Sequence, residues 1–523
     1  MEEIFEHFRP DAHAGFQAEL PLRGGRRQFT TGDISLGQLA CRLGDSILPE
    51  TTMSPEDYFS MLSDDILPYA IDTGSPVFIG HMTSALPAYI HELSKLISRL
   101  NQNMVKIETS KSLTLLERQV IAMLHRLFYG FPEVFYRENI QQVDRNLGIM
   151  TGGGTLANIS ALLSARNRKL YRAGSDEGTP GLESSIYASL HRQGYSDMVL
   201  LGSELMHYSF RKAASVLGLG ANNLIFVKSD GLGRICLPDL EEKICVCRKD
   251  KLMVLAIVGV AGSTERGSID PLAEMGRIAS RHGIHFHVDA AWGGALIFSG
   301  KHRHLLKGIE MADSITFCGH KQLYLPQGIS ICLFKDPGQL NYSSIQANYQ
   351  ATAGSLDLGR FTIEGSRPAL SICLHASLHI LGPDGYGLLV DNGIEKAVSF
   401  SRMIGAAEGL ELISRQMNIV NYRFIQPLLR AKWRAGELDQ DMNEQISRMN
   451  KDIQECQFLA GRTFVSRTVI NHERYGRILV FRAVLSNPLT TEEDLFRVLE
   501  DQASIADKLY STQTIPQQYD EHK

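Results

Sequence analysis

The stretch His285-Phe286-His287-Val288-Asp289-Ala290-Ala291-Trp292-Gly293-Gly294 decides how this chain folds. It begins as a β-run that ends at Asp289. A later run, Ser314-Ile315-Thr316-Phe317, is followed closely by Gly319-His320-Lys321. Because ligands bind at the carboxyl ends of strands in a doubly wound sheet, Asp289 and Lys321 are predicted to face one crevice.

An Asp and a Lys at two such strand ends are the residues that pyridoxal 5′-phosphate (PLP) chemistry needs. Lys321 offers an amine that can bond to the cofactor aldehyde, and Asp289 offers a carboxylate that keeps the pyridine nitrogen protonated. Lys321 also lies between His320 and a Gln-Leu-Tyr-Leu-Pro turn, a composition that is unusual for a solvated lysine. The pair therefore predicts an amino-acid enzyme that uses PLP.

Short apolar β-runs, separated by spacers of helix length, extend on both sides of this pair. Such an alternation predicts an α/β fold whose sheet is mostly parallel, with helices on both faces. The runs are Met198–Leu201, Asn223–Val227, Met253–Val258, His285–Asp289, Ser314–Phe317 and Ile329–Phe334.

The chain has 523 residues, which is too long for a single hydrophobic core. Residues 1–110 carry helical patterns broken by prolines, and we expect them to form an N-terminal helical arm. Residues 111–389 hold the β-runs and are predicted to form the large PLP-binding domain. Residues 390–523 are predicted to form a small α+β domain.

Two local predictions concern turns. In the C-terminal domain, Arg477–Leu485 reads as a strand, and Thr490 with Glu493 fits a capping box for the helix that follows. The polar, Gly- and Pro-containing stretch 172–185 is predicted to be a surface loop without a function of its own.

Composition excludes several classes of partner. A net charge of −5 with mixed signs along the chain argues against nucleic-acid binding, which requires a basic surface. With 44% hydrophobic and 21% charged residues, no apolar run approaches the length of a membrane span. The acidic start, Met1–Glu6, is unlike a secretory signal, so we expect a cytoplasmic protein.

The eight cysteines are scattered along the chain, a usage typical of reduced thiols rather than of a disulfide framework. Only Cys245-Val246-Cys247 is clustered. A zinc site there is the alternative, but no second Cys or His cluster lies at the spacing of a zinc finger. We therefore expect a plain strand at this position.

A glycine run, Thr151-Gly152-Gly153-Gly154-Thr155, leads directly into a well-patterned helix at Leu156–Arg166. Glycines before a helix let phosphate oxygens approach free backbone N–H groups at the positive end of the helix dipole. A tight turn is the commoner explanation, and the run matches neither a Walker loop nor G-x-G-x-x-G. Taken alone, it leaves both interpretations open.

The histidines around Asp289 raise the question of a metal. On a strand, His285, His287 and Asp289 share one face, and His302 and His304 follow. The alternative is that His285 and His287 are strand residues with satisfied hydrogen bonds and that Asp289 alone reaches the crevice. The second interpretation is favoured, and no metal site is expected.

Several separated motifs resemble the group II PLP-dependent amino-acid decarboxylases, and within them the bacterial PLP-dependent aspartate 1-decarboxylases. The resemblance covers most of residues 75–500, with the motifs in the family order. It implies the PLP-dependent transferase fold of type I and a homodimer. The motifs are Val260–Thr264, Gly267–Pro271, His287–Gly294, Lys301–His304, His320-Lys321, Ser203–Ser209 and Phe481–Pro488.

The resemblance also implies roles for individual residues. Lys321 carries the cofactor, Asp289 contacts the pyridine nitrogen, and His207 stacks on the pyridine ring. The remaining cofactor residues are Gly154 and Thr155 at the phosphate with His320 nearby, Ala291 on the ring face opposite His207, Thr264 beside the ring, and Gly365 and Ser366, which reach the phosphate across the dimer interface.

For the substrate, the resemblance implies that Arg482 pairs with the α-carboxylate and that His81 lies where glutamate decarboxylases place a Gln that contacts the distal carboxylate. Tyr349 is a candidate for the catalytic tyrosine that relatives carry on a mobile loop. The chain also departs from its relatives, which have Asn-Pro where it has Cys318-Gly319, so one side-chain contact to the phosphate is in question.

The function that we expect is decarboxylation of a small acidic L-amino acid, first of all L-aspartate to β-alanine and CO₂. Glutamate and cysteine sulfinate remain alternatives, because one methylene is worth only about 1–3 kcal/mol in a pocket. An aminotransferase or desulfurase of the same fold is a further alternative. A catalytically silent PLP-fold protein with a binding or regulatory role is the alternative from another class.

Overall fold

The computed structural model of the chain describes residues 2–8, 29–30, 34–171, 185–345 and 354–510. All but Ser185 of the predicted loop 172–185 lies outside these ranges, as does Tyr349. The chain divides into two compact units. The first is Leu86–Asp391, and the second combines Glu2–Ala85 with Asn392–Lys523.

The strands in the described ranges form two sheets. In chain order they are β1 (Gly148–Thr151), β2 (Asp197–Ser203), β3 (Leu224–Val227), β4 (Leu252–Val260), β5 (His285–Asp289), β6 (Ser314–Cys318), β7 (Ser330–Phe334), β8 (Leu410–Gln416), β9 (Ile419–Phe424), β10 (Ser466–His472) and β11 (Gly476–Val484).

The α-helices of the same ranges are α1 (Glu2–Glu6), α2 (Leu36–Arg42), α3 (Pro55–Met61), α4 (Ala88–Leu100), α5 (Ile107–Ser110), α6 (Ser112–Tyr129), α7 (Glu133–Asn139), α8 (Gly154–Leu170), α9 (Ile186–Arg192), α10 (Ser209–Val216), α11 (Leu237–Lys249), α12 (Leu272–His282), α13 (Ser371–Ile380), α14 (Gly382–Ala406), α15 (Arg430–Ala435), α16 (Gln440–Ala460) and α17 (Glu492–Tyr510). A π-helical turn covers Leu62–Ile66, and short 3₁₀ turns cover Leu67–Tyr69, Ala221–Asn223, Gly293–Phe298, Arg303–Leu306, Ile309–Met311, Gln339–Ser343, Leu358–Arg360 and Pro427–Leu429.

The first unit is built on a seven-stranded sheet in the order β1-β7-β6-β5-β4-β2-β3. Its strands are parallel except β7, which is antiparallel to both β1 and β6. The inner strand β4 is buried along almost its whole length, because helices cover both of its faces. The mostly parallel sheet predicted from the apolar runs is confirmed.

Successive residues of β4 show the two covered faces. Val258 belongs to a buried cluster with Leu162 of α8 and Phe210 of α10. A Cβ on the next residue, Gly259, would lie 3.0 Å from Leu272 of α12. Because successive strand residues point to opposite faces, α8 and α10 cover one face and α12 covers the other.

The second unit contains a four-stranded antiparallel sheet in the order β10-β11-β9-β8. Its core combines Tyr422 of β9 and Phe481 of β11 with helical residues such as Ile453 of α16. The small α+β C-terminal domain is therefore present. Phe78 forms a parallel bridge with Phe464, so part of the N-terminal segment belongs to this unit.

The contact-defined units differ from the boundaries drawn from the sequence. Residues 86–110 belong to the first unit and residues 2–85 to the second, because backbone bonds such as Ile79 N to Phe464 O join the N-terminal segment to the C-terminal sheet. The domains drawn from the sequence, an N-terminal helical arm at 1–110, a large domain at 111–389 and a small domain at 390–523, stay a prediction.

Two local predictions were wrong. Cys245 and Cys247 lie on the helix α11, not on a strand, with Cys247 buried and Cys245 exposed. The capping pair of α17 is Thr491 and Asp494, one residue later than predicted. Asp494 N donates to Thr491 Oγ1 at 3.2 Å and Thr491 N donates to Asp494 Oδ2 at 3.0 Å. The hydroxyl of Thr490 is turned away from the helix and donates to Pro76 O at 2.6 Å.

No helix within the described ranges has both the length and the apolar character that a membrane crossing requires.

Candidate active site

A cavity of about 270 Å³ opens at the carboxyl edge of the seven-stranded sheet. Its wall is formed by the segments that follow β1, β2, β4, β5 and β6, as expected for a sheet of this topology. It is lined by eight of the residues singled out in the sequence: Lys321, Asp289, His207, Gly154, Thr155, Thr264, Ala291 and His320.

The glycine run connects β1 to α8 along one side of the cavity. Gly153 is the N-cap residue of the helix and makes no side-chain cap. Gly152 N donates to both carboxylate oxygens of Glu364, at 2.9 and 3.1 Å. The amides of the first turn of α8 thus border the cavity without a side-chain cap, an arrangement that suits a phosphate group.

Cys318 and Gly319 lie in a tightly packed part of the site. A Cβ on Gly154 would lie 2.9 Å from Cys318 Sγ, and a Cβ on Gly319 would lie 2.8 Å from Leu325 Cδ1. Cys318 is buried, which raises the pKa of its thiol, and Ser330 Oγ donates to its Sγ at 3.0 Å. At position 318 the chain therefore places a neutral thiol beside Gly154.

Asp289 ends β5, and only 7% of its surface is exposed. Its Oδ1 accepts from Ala291 N at 3.1 Å, and its Oδ2 accepts from Asn158 Nδ2 at 3.1 Å. Backbone pairing aligns Asp289 with Val260 of β4 and Thr316 of β6. The carboxylate is thus fixed from two sides at the centre of the sheet edge.

His207 follows β2 and is held by Ser209. Its Nδ1 lies 2.9 Å from Ser209 Oγ and 3.3 Å from Ser209 N. A backbone N–H can only donate, so Nδ1 is the acceptor and the neutral ring carries its proton on Nε2. Burial lowers the pKa of His207, and the positive charge of Lys321 lowers it further, against the opposing effect of Asp289.

The turn after β6 holds Lys321 in place. Gln322 Nε2 donates to Trp292 O at 2.7 Å, which ties the turn to the segment after β5. Tyr324 adopts a left-handed backbone conformation with φ of 55°, and Leu325 N donates to Gly319 O at 3.2 Å. A bulky residue with positive φ is uncommon, and such strain concentrates at functional sites.

His285 and His287 both have hydrogen-bond partners. Ser314 Oγ lies 2.8 Å from His285 Nε2 and 2.8 Å from His287 Nδ1. Burial lowers the pKa of each histidine to about 3, so both rings are neutral. Among the described residues, no group of three or more His, Cys, Asp or Glu side chains is placed to hold a metal ion.

Four of the residues singled out in the sequence do not line this cavity. Gly365 and Ser366 are exposed residues of the first unit. Arg482 and His81 belong to the second unit, where Arg482 donates to Gly80 O at 3.3 Å and to Ser466 Oγ at 3.1 Å. Arg482 is thus bonded to the residue that precedes His81.

Sequence reasoning missed Asn158 and Ser209, which bond to Asp289 and His207. Both are buried. Asn158 had a weak signal, since it is a polar residue inside an otherwise apolar helix start at Leu156–Ile159. Leu205 and Ser263 also line the cavity; they lie in the motifs Ser203–Ser209 and Val260–Thr264, which gave them no individual role. Gln327 lines the cavity too and carried no signal.

The arrangement is suited to a ligand that has a phosphate, a basic ring nitrogen and a reactive carbonyl. The uncapped start of α8 can take the phosphate, the buried Asp289 carboxylate can hold a proton on the nitrogen, and Lys321 can bond to the carbonyl carbon. PLP has these three groups, so the residues present fit this cofactor.

Comparison with protein families gives one match over most of the chain. The profile described as "Pyridoxal-dependent decarboxylase conserved domain" matches residues 45–425. The chain is 44% identical to aspartate 1-decarboxylase of Aliivibrio fischeri over 467 residues, 88% of this chain and 85% of that protein. It is 28% identical to the cysteine sulfinic acid decarboxylase of Mus musculus, with 82% of each chain covered.

Solved structures with the same fold include that of mouse CSAD, which has a TM-score of 0.77 and 24% identity over 92% of this chain and 94% of that one. The complex of Catharanthus roseus tryptophan decarboxylase with L-tryptophan has a TM-score of 0.74 and 20% identity over 92% of this chain and 94% of that one. At these identities the likeness concerns the fold alone.

Proposed function

Because this chain belongs to the pyridoxal-dependent decarboxylase family and uses PLP, we propose that it removes the α-carboxylate of L-aspartate to give β-alanine and CO₂. The observation that carries the proposal is the single cavity that gathers Lys321, Asp289 and His207 around the uncapped start of α8. The substrate assignment is supported by the 44% identity to a protein named aspartate 1-decarboxylase.

We propose that the residues of this cavity bind the cofactor. Gly154 and Thr155 would take the phosphate, with His320 beside them. His207 and Ala291 would cover the two faces of the ring, and Thr264 would lie close to it. Lys321 would hold the cofactor through its Nζ. Asp289, which receives hydrogen bonds from two donors, keeps a carboxylate oriented to hold a proton at the ring nitrogen.

PLP, when bound, supplies an electron sink for the pair of electrons left on Cα as CO₂ departs. The contribution of this chain is to orient the substrate and to hold protons. Arg482 would bind the α-carboxylate, and its guanidinium is already fixed by Gly80 O and Ser466 Oγ. Orienting the carboxylate lowers the barrier only if the bond that breaks, between Cα and the carboxylate, is aligned so that its electrons can be delocalised into the cofactor.

His81 supports an acidic side chain on the substrate. Its Nδ1 accepts from Thr83 N at 3.3 Å and lies 2.8 Å from Thr83 Oγ1, so the neutral ring carries its proton on Nε2. An Nε2–H can donate to a carboxylate. Because Arg482 bonds to the residue before His81, these two residues can act on the two carboxylates of one small substrate.

The test of the proposal is a panel of L-amino acids incubated with the PLP-loaded protein, with CO₂ and the amine products identified. We expect β-alanine from aspartate as the fastest product. γ-Aminobutyrate from glutamate, or hypotaurine from cysteine sulfinate, at a higher rate would transfer the assignment to that substrate. Release of a keto acid instead of CO₂ would indicate an aminotransferase, and no product from a PLP-loaded protein would favour a binding role.

His81→Ala should lower kcat/KM for the preferred substrate by about fivefold to a hundredfold, because a carboxylate that loses a donor costs about 1–3 kcal/mol. The measurement compares aspartate, glutamate and cysteine sulfinate in the parent and the variant. His91→Ala, at an exposed histidine of α4, is the matched control and should change none of them. An equal fall for all three substrates, or no fall, would show that His81 does not select the substrate.

We further propose that the protein is a homodimer in which Gly365 and Ser366 of one chain reach the cofactor phosphate of the other. The segment is exposed, and Glu364 fixes it next to the glycine run of its own chain. In the second unit, several apolar side chains in and around α2 and α3 are exposed to solvent, among them Ile47 (78% exposed) and Leu48 (87% exposed). Exposed apolar patches of this kind mark interaction surfaces.

Sedimentation of the PLP-loaded protein should therefore show a dimer. The double variant Ile47→Glu/Leu48→Glu should weaken dimerisation by about a hundredfold or more, since each apolar side chain is buried twice in a symmetric interface. Leu428→Glu, at an equally exposed leucine (87%), is the control. An active, PLP-loaded monomer of the parent protein would rule out the contribution from a second chain.

A cytoplasmic location is proposed as well. All eight cysteines fall within the described ranges, and each is free. Free thiols, including the buried Cys318 beside the glycine run, suit a reducing compartment.

A further inference from the structure

A chain of hydrogen bonds joins Asp289 to His207 along the wall of the cavity, which Asn158 also lines. Asn158 of α8 lies at its centre: its Nδ2 donates to Asp289 Oδ2 and to Ser209 Oγ, each at 3.1 Å. Ser209 Oγ in turn lies 2.9 Å from His207 Nδ1. On the other side, Asn158 Oδ1 lies 3.0 Å from His287 Nε2. Asn158 is 1% exposed, so water does not compete for these bonds.

The direction of every bond in this chain follows from the chemistry of its ends. An ionised carboxylate can only accept, so the NH₂ group of Asn158 faces Asp289 and its carbonyl faces His287. His287 must then carry its proton on Nε2. Burial lowers the pKa of His287 to about 3, so the ring is neutral and its Nδ1 accepts from the Ser314 hydroxyl.

The same reasoning applies toward His207. The second hydrogen of the Asn158 NH₂ group occupies a lone pair of Ser209 Oγ, which leaves the Ser209 hydroxyl proton for His207 Nδ1. Independently, the backbone N–H of Ser209 points at that Nδ1 at 3.3 Å. Both observations make Nδ1 an acceptor and put the proton of neutral His207 on Nε2. The side chain of Asn158 therefore links the hydrogen-bond-accepting carboxylate of Asp289, through Ser209, to the tautomer of His207.

We propose that Asn158 and Ser209 are positioning residues for the cofactor: Asn158 holds Asp289 as an unprotonated acceptor, and Ser209 holds His207 as the Nε2–H tautomer. Both groups that face the Asp289 oxygens, Asn158 Nδ2 and Ala291 N, are donors. A proton on either oxygen would meet a donor. The inference rests on PLP as the group held at this cavity, and it does not depend on which amino acid is the substrate.

The test measures PLP binding to the apoprotein, which needs no turnover. Asn158→Ala should weaken PLP affinity by about tenfold to a hundredfold, the loss expected when a hydrogen bond to a charged group is removed. It should also shift the pH at which the visible absorbance of bound PLP changes. Asn167→Ala is the matched control, because Asn167 is another buried asparagine of α8 that bonds Tyr342 O away from the cavity. It should change neither property.

A double-mutant cycle separates positioning from a general loss of stability. If Asn158 acts through Asp289, Asn158→Ala should weaken PLP binding by less than about threefold in the Asp289→Asn background. The effect of Ser209→Ala should likewise shrink in a His207→Ala background. Equal fold-changes in both backgrounds would overturn the proposal, as would an Asn167→Ala effect as large as that of Asn158→Ala.

Asn158→Asp covers the case in which the alanine variant does not fold, since it keeps the shape of the side chain. Two carboxylates would then lie about 3.1 Å apart, and like charges at this distance share one proton at low pH. PLP affinity should approach the parent value at low pH and fall as the pH rises. A pH dependence identical to that of the parent would contradict the proposal. Failure of the parent apoprotein to bind PLP would overturn the cofactor assignment itself.

Discussion

Lys321→Ala is expected to abolish turnover. Lys321 is the one lysine among the described residues that line the cavity, so no other amine there can attach to the cofactor aldehyde. The rate should fall by about 10⁴-fold or more, as found when a residue that bonds covalently in a reaction is removed. The visible absorbance of the attached cofactor should disappear as well. Activity is measured as CO₂ release, and absorbance is recorded on the dialysed protein.

The control for this variant is Lys212→Ala. Lys212 belongs to α10 and lies 4.9 Å from the centre of the Tyr208 ring, close to His207 but outside the cavity wall. It should keep its absorbance band and most of its rate. Circular dichroism shows whether Lys321→Ala is folded, and PLP retained without attachment can be measured after denaturation. A folded Lys321→Ala protein with the band and a normal rate would show that another lysine carries the cofactor.

Asp289→Asn is expected to fold and yet to lose most of its activity. The amide has nearly the same shape, but it is neutral and cannot hold a proton on the ring nitrogen. Its NH₂ group would also face a donor, either Asn158 Nδ2 or Ala291 N. Loss of such an electrostatic partner costs about a hundredfold to a thousandfold in kcat. The measurement is kcat at saturating PLP, together with the thermal midpoint of unfolding.

Asp313→Asn is the matched control for this variant. Asp313 is a partly exposed carboxylate that precedes β6, at the opposite end of the sheet, where it accepts from Phe286 N at 2.8 Å. Partial burial raises its pKa, so a neutral side chain is tolerated there. It should keep kcat even if it loses some stability. Near-full activity of Asp289→Asn at saturating PLP would remove the electron-sink role of Asp289.

Much of the first unit could be predicted from local pattern. Apolar β-runs separated by helix-length spacers identified β2 to β7, because a strand buried on both faces must be apolar along its length. The wrong predictions were those in which a short pattern fits two structures. The stretch Cys245-Val246-Cys247 is compatible with either a strand or a helix. Thr490 and Thr491 are each suitable as the N-cap residue of the helix that follows.

The residues of the candidate site also fall into those that the sequence could indicate and those that only the fold brings together. Lys321 and Asp289 were identifiable because their residue types at strand ends already specify a chemistry. Asn158 bonds to Asp289 across 131 positions of sequence, and Arg482 bonds to Gly80 O across 402. No local signal reports such contacts, since only the folded chain brings these groups within hydrogen-bond distance.

The sequence by itself determined the α/β class and the cofactor, and it predicted Lys321 and Asp289 as residues that bond to the cofactor, because apolar periodicity and the Asp–Lys pair are local properties of the chain. Only the tertiary structure decided that Cys318 packs on Gly154, that Ser209 sets the tautomer of His207, and that Asn158 faces Asp289 with its NH₂ group. The physical reason is that a hydrogen bond requires a particular direction between donor and acceptor, and a steric contact requires a particular distance between two groups. Both depend on where segments far apart in the sequence meet in the fold.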